Sequence, residues 1–382
     1  MAVKQRSIEA LPRAVTIYKV HHCAESACFN MENQSDNVTT RTGRREYEGL
    51  LCYASSFLHV LASFNITWVR QTNLLPGPTS LSMRVWELIS LFRDRVVAST
   101  SQDKHKSERT QLLKTIVSDV WDAKLKQEQE YTNQESRVIK VAQMLEEPQD
   151  IDEFIDYFLQ ELNNDCKREQ ERTGVMPPNI GIMFAGQKCI VKCCQSCSNL
   201  VHTTFTVERY IIPLYLSNIT SKHDGLPCLS DYSFGELLQR TCDECGELCT
   251  HEKWLKGDSN LMPNILTIEM SRTIWREGGV ALSSQKCNIP FQLLASSIYK
   301  CNNHDIYALR AMIVHSEKYG GHYYSVFCTD ERYNDWWIAD DGDIQKVECI
   351  SQKLEEISGS WLLVFYEKSG MHTLPAVSIL DL

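Results

Sequence analysis

A cysteine, a histidine and an aspartate in this chain have neighbours that could make them a nucleophile, its base and the group that orients the base. Cys52 lies in the run Gly49-Leu50-Leu51-Cys52-Tyr53-Ala54-Ser55-Ser56-Phe57-Leu58-His59-Val60-Leu61. Apolar residues at Phe57, Leu58, Leu61 and Phe64 recur at intervals of three and four, which marks one face of a buried helix. Cys52 then falls at the helix N-terminus, where unpaired N–H groups and the positive end of the dipole favour a thiolate. His322 and Tyr323 follow Gly320 and Gly321, and Trp336-Trp337-Ile338-Ala339-Asp340-Asp341 comes soon after. An imidazole can take a thiol proton and deliver it to a leaving amine. A carboxylate bonded to the other ring nitrogen fixes tautomer and orientation. A lone cysteine is ordinarily a small apolar core residue; a downstream histidine and acid turn the reading towards a nucleophile. Of Asp340 and Asp341, one points inward to orient the base and the other supports it.

The remaining histidines fit other roles. His315 sits in an apolar strand pattern, His59 packs on the Cys52 helix, and His202 and His251 flank cysteine pairs. Only His322 is preceded by glycines, which allow a loop to close over a substrate.

Two Cys-x-x-Cys pairs, Cys194 with Cys197 and Cys242 with Cys245, are separated by residues 198–241. Each pair can wrap one side of a tetrahedral ion, and four thiolates leave no open position, so the spacing predicts one structural zinc and not a catalytic one. Cys193, Cys249 and His251 lie close enough in sequence to substitute for a nominal ligand.

Composition bounds the partners. The chain has 382 residues, 43% of them hydrophobic, which is ordinary for a globular protein. A net charge of −10 argues against a nucleic-acid partner and for a basic one. No apolar segment follows Lys4 and Arg6, and no run reaches the length of a membrane span, so neither secretion nor membrane insertion is expected. Sixteen cysteines in such a chain read as thiols and metal ligands in a reducing compartment, cytoplasmic or nuclear.

These residues need elements to carry them. Residues 1–46 read as a flexible polar lead-in and 371–382 as a tail. Ser80 or Thr79 caps a helix with apolar positions Val85, Trp86, Leu88, Ile89 and Phe92. From Ser99 to Glu135 a charged stretch with an apolar stripe at Leu112, Ile116, Val117 and Trp121 reads as a solvated surface helix. Gln149-Asp150-Ile151-Asp152-Glu153-Phe154 opens a core helix with an acidic face, on which Asp150 and Glu153 are three apart and adjacent. From Ile182 onward the pattern alternates, with strands at 190–193, 203–207, 211–216, 265–270, 307–314, 323–327 and 361–366. Helices followed by short strands indicate an α+β chain.

The chain resembles the ubiquitin-specific proteases, papain-like cysteine peptidases that cleave after the C-terminal glycine of ubiquitin. The cysteine box matches at Gly49, Cys52, Tyr53, Ser56, Leu58 and Leu61. The histidine box matches at Gly321, His322, Tyr323, Trp336, Asp340 and Asp341, over a span from Glu48 to Tyr366. The resemblance implies a papain-like fold with a helical thumb (about 47–180), zinc-tied β fingers (about 181–262) and a β-rich palm (about 263–370). It implies Cys52 as nucleophile, His322 as base, and Asp340 as orienter with Asp341 in support. Asp150 and Glu153 would meet the basic tail of ubiquitin, with Gly321, Tyr323 and Tyr324 narrowing the channel around its glycines. Substrates would be ubiquitin and ubiquitinated proteins. One position departs from the pattern: where the family has an asparagine that donates to the oxyanion, this chain has Tyr47. That departure leaves a ubiquitin-binding scaffold with weak catalysis as the alternative, beside a peptidase for another ubiquitin-like modifier.

Overall fold

Helix α1, Cys52–Ser63, is buried on nearly every side, with Ser55 its one half-exposed residue. The sequence signals a single apolar face, but Ala54, Val60 and Ala62 are small or branched residues that close packing can seal on the others. The structure is a computed structural model. It describes residues 51–64, 80–98, 105–128, 133–147, 149–174, 183–193, 197, 200–207, 211–215, 236–242, 244–256, 262–276, 279–300, 305–316, 322–330, 332–340 and 343–369. The lead-in, the tail, Tyr47, Cys194, Gly321 and Asp341 lie outside the described residues.

Four more helices surround α1: α2 (Leu81–Ala98), α3 (Lys106–Glu128), α4 (Gln134–Glu146) and α5 (Ile151–Thr173). Ser80 caps α2 through Met83 N–H, 3.3 Å from its hydroxyl, and Asp165 of α5 accepts from Ser82 N–H at 2.9 Å. Asp150 caps α5 through Asp152 N–H at 2.8 Å, and Gly174, at φ 72°, ends it. The stretch read as a solvated helix, 99–135, holds α3; α4 begins only at its end, where Asn133 caps it by accepting from Ser136 N–H at 2.7 Å. In α3, Ile116, Val117, Val120 and Trp121 are wholly buried against neighbouring helices, so α3 is a core helix. The stripe is legible in the sequence; the dense charge around it is what reads as a solvated helix.

Strands follow. β1 (Gly186–Cys193), β2 (Leu200–Val207), β4 (Glu236–Thr241), β5 (Leu248–Lys256) and β10 (Tyr299–Lys300) form one sheet in the order β10-β5-β1-β2, with β4 also on β5. A larger sheet runs β14 (Asp343–Lys346), β13 (Trp336–Asp340), β12 (His322–Cys328), β11 (Ile306–Ser316), β15 (Trp361–Lys368), β6 (Ile265–Ser271) and β3 (Ile211–Tyr215), with β9 (Gln292–Leu294) also on β11. A hairpin of β7 (Thr273–Arg276) and β8 (Gly279–Leu282) stands apart.

The large sheet is buried on both faces. Ala311, Ile313, Phe327, Ala339, Leu363 and Phe365 join α1, α2, α3 and α5 in one core. Alternate residues, among them Met312, Val314, Val326, Trp336 and Val364, join a second core with helix α6 (Ile350–Ile357). Arg310, on β11, is 1% exposed; its Nε and Nη2 donate to Ser63 O at 3.0 and 2.8 Å, and its Nη1 to Asp330 O at 2.6 Å. Arg93 of α2 donates to Ala62 O at 2.9 Å and to Phe64 O. Ser63 Oγ donates to Val60 O at 2.6 Å. The carbonyls that a helix end leaves unpaired are thus met by side chains from both neighbouring layers.

Arg310→Met keeps the apolar stem and removes those donors. Since a buried acceptor without its partner costs about 1–3 kcal/mol, the loss should reach roughly 3 kcal/mol, read as a lower urea midpoint at unchanged slope. Arg310→Lys should restore little, because one ammonium cannot span both carbonyls.

Candidate active site

Cys52 is the first residue of α1 and is 7% exposed. Leu51 occupies the cap position without a side-chain hydrogen bond, and no acid lies in the first turn. Among the described residues, the cap position of α1 thus offers its opening N–H groups no side-chain acceptor, the condition under which a helix N-terminus can receive an anion.

His322 opens β12, and Asp340 closes β13. These strands pair antiparallel with Ser325 opposite Ala339 and Cys328 opposite Trp336. Continuing that register sets Tyr324 opposite Asp340, with His322 a diagonal step away on the same face, within reach of a long side chain. His322 Nε2 and Asp340 Oδ1 are 2.5 Å apart. Burial first, then Asp340 and Glu356, pushes the Tyr324 hydroxyl up to about 12.

The turn between the strands is held by two carboxylates. Asp330 Oδ1 accepts from Asn334 N–H at 2.8 Å, Asp335 N–H at 2.9 Å and the Cys328 thiol at 3.1 Å. Burial pushes this carboxyl up, but the N–H groups and the thiol outweigh it and hold the group below the usual range. Asp335 is held low chiefly by Lys346, 2.7 Å away, with Trp337 and Thr329 also donating. Tyr333 completes the turn at φ 58°, in the left-handed region.

Tyr323 points to the opposite face, into the helical core, and its ring lies 5.0 Å from that of His315. Burial above all, then the charges of Asp150, Asp152 and Cys52, raises its hydroxyl. Tyr323 thus stands where the first turns of α1 and α5 meet the start of β12. The alternation of the strand separates it from Tyr324, so the two do not wall one channel as the sequence suggested. Glu153 is committed to Lys124, 2.6 Å away, whereas Asp152, which the sequence reading passed over, joins Asp150 beside Tyr323. The signal was present in the Asp-x-Asp spacing at the helix start. His59 is enclosed by Phe92 and Phe327, with ring centroids at 4.1 and 6.1 Å, and has a core role.

Away from this cleft, the sulfur atoms of Cys197, Cys242 and Cys245 lie within 4.8 Å of one another. Cys197 and Cys242 Sγ are 3.7 Å apart, far beyond a disulfide bond, and tetrahedral thiolates at about 2.3 Å from zinc stand about 3.8 Å apart. Gly246 N–H donates to Cys242 O at 3.0 Å, and Cys242 N–H to Glu247 O at 2.7 Å. Gly246 takes φ 73°, which turns the chain tightly enough to present both sulfurs of the pair. The cluster fits a metal ion.

The helical layer and the doubly covered sheet, with a cysteine opening α1 and a histidine–aspartate pair on one hairpin, form the α+β fold of a papain-like cysteine peptidase. The model of the ubiquitin carboxyl-terminal hydrolase family matches residues 48–366, and the chain belongs to that family. It is accordingly a cysteine-type deubiquitinase. Among solved structures, a chain of the SAGA DUB module Ubp8/Sgf11/Sus1/Sgf73 bound to monoubiquitin is 15% identical, with a TM-score of 0.58 over 84% of this chain and 68% of that one. The same module bound to ubiquitin aldehyde gives 14% identity and a TM-score of 0.57, over 84% and 68%. The yeast module with a variant Sgf73 gives 15% and 0.53, over 84% and 67%. At these identities the likeness bears on the fold. No curated protein matches the chain by sequence. Among the described residues no helix is long and apolar enough to cross a membrane.

Asp330→Ala should lower the melting temperature by a few degrees at neutral pH. A carboxylate depressed in the folded state stabilises above its unfolded value, near 3.9, and less so as pH falls through the depressed one. The gap to the parent protein should therefore close below about pH 4, which thermal unfolding across pH 3–7 will measure.

Proposed function

We propose that the chain hydrolyses the isopeptide or peptide bond after the C-terminal glycine of ubiquitin, on ubiquitin precursors and ubiquitinated proteins, through Cys52, His322 and Asp340. The observation that carries this is the 2.5 Å bond between His322 Nε2 and Asp340, in a strand whose next residue lies within electrostatic reach of Cys52. With Nε2 held by Asp340, Nδ1 is the nitrogen that serves the thiol. Cys52 Sγ gives its proton to Nδ1 and attacks the glycine carbonyl carbon. The tetrahedral oxyanion is met by the Cys52 backbone N–H at the start of α1. As the C–N bond breaks, the imidazolium returns its proton to the lysine amine. Water, deprotonated by His322, then cleaves the thioester and releases the ubiquitin carboxylate and the thiol.

Asp150 and Asp152, beside Tyr323, supply negative charge for the basic tail, with Glu153 in reserve behind Lys124. Gly321 and Asp341 take the flanking and supporting parts that the family pattern gives them, and Tyr47 leaves the oxyanion one donor short. Residues 47–180, 181–262 and 263–370 make up thumb, fingers and palm. One structural zinc on Cys194, Cys197, Cys242 and Cys245 ties the fingers, holding four thiolates with no position open to substrate. A zinc–thiolate set and an unprotected nucleophilic thiol suit the reducing cytoplasm or nucleus.

Ubiquitin bearing a C-terminal electrophile should form an adduct that Cys52→Ala abolishes and that the SUMO counterpart does not give; binding without an adduct would instead favour the scaffold. Asp340→Asn should lower kcat at least tenfold with KM little changed. Metal analysis should find one zinc per chain, falling below half an equivalent in Cys242→Ser. Tyr47→Asn should raise turnover by restoring a donor; unchanged turnover would remove Tyr47 from the oxyanion site.

A further inference from the structure

Leu51 gives the turn that carries Cys52 no side-chain cap, and among the described residues it is packing that fixes the rotation of this turn about the helix axis. Tyr53, the next residue, is sealed from solvent. Its ring meets Phe154 of α5 edge-on, with centroids 5.2 Å apart and planes at 79°. Its oxygen accepts from Trp121 Nε1 of α3 at 3.1 Å, in a bond buried from water. Trp121 is held in turn: Lys124 Nζ lies 5.2 Å from its ring centre while pairing with Glu153 at 2.6 Å. Burial keeps the Tyr53 hydroxyl protonated through the whole working pH range, so this bond does not titrate away.

Consecutive residues of a helix project about 100° apart. Locking Tyr53 onto α3 and α5 therefore also sets the direction of Cys52, whose charge reaches the Tyr323 hydroxyl at the start of β12. We infer that Trp121 is a positioning residue for the nucleophile: its indole N–H, acting through Tyr53, aims the Cys52 sulfur at the His322 end of β12. The inference rests on Cys52 being the nucleophile. Trp121 touches neither substrate nor reacting atoms, and its contribution is to the placement of sulfur. Because a misplacement of about 1 Å costs on the order of a hundredfold in rate, a shift of a fraction of that should cost about tenfold.

The test uses the full chain and ubiquitin with a fluorogenic C-terminal amide, with active sites counted by electrophilic ubiquitin. Trp121→Phe keeps a ring and removes the donor; Tyr53→Phe deletes one oxygen, and so preserves the test should the first variant not fold. Each should lower kcat per active site about tenfold with KM within twofold, and the double variant should be no worse than either single one, since both break the same bond. Turnover that survives Cys52→Ala overturns the nucleophile assignment and this inference with it. Turnover lost in Cys52→Ala but unaltered per active site in both Phe variants overturns this inference alone, as does a double variant whose loss is the product of the two. A purely structural role would reduce the count of active sites and leave kcat per site unchanged.

Discussion

The placement of the Cys52 end of α1 depends on how the other end of the helix is held. Arg93 and Arg310 reach the C-terminal carbonyls from opposite sides, one from the helical layer and one from the sheet. Two cations at the negative pole favour the helix electrostatically. More important, they meet acceptors that burial would otherwise leave unpaired. The helix is thereby tied between two layers that have different partners, and its free pole is the one that bears the sulfur.

The His322–Asp340 pair follows from strand geometry alone. A turn fastened by Asp330 and Asp335 sets the register of β12 against β13, and that register puts imidazole and carboxylate on one face. The alternation that brings those two together sends Tyr323 through to the other face. One strand thus divides two duties. Its even-numbered residues set His322 on the face it shares with Asp340 of β13, while Tyr323 lies towards the first turns of α1 and α5.

Local patterns were enough for the elements whose chemistry is local. The Ser80 cap, the apolar spacing of α1 and α5, the alternation in β11, β12 and β15 and the second cysteine pair could all be read directly. What could not be read depends on contacts remote in sequence. The apolar stripe of α3 is legible, but the Lys, Glu and Asp around it make the helix read as a surface one, and only the neighbouring helices make Trp121 a core residue. Strands β4 and β5 carry Glu236, Arg240, Glu252 and Lys253, which obscure their alternation. Glu153 reads from sequence as an acid open to a ligand, and folding brings Lys124 against it. The clasp of Arg310 on Ser63 joins residues that no window of sequence places side by side.

The strand that bears Arg310 is covered on both faces, and each face belongs to a different core. Neither core can lose β11 without exposing apolar surface on the other, so the helical layer and the strands behind the sheet should melt together as one thermodynamic unit. A fragment that ends before β11 would lack a wall of its core, and excising the helices would not yield a separately stable domain. Variation in this architecture therefore belongs in the connections between elements, where added length leaves the shared strand intact.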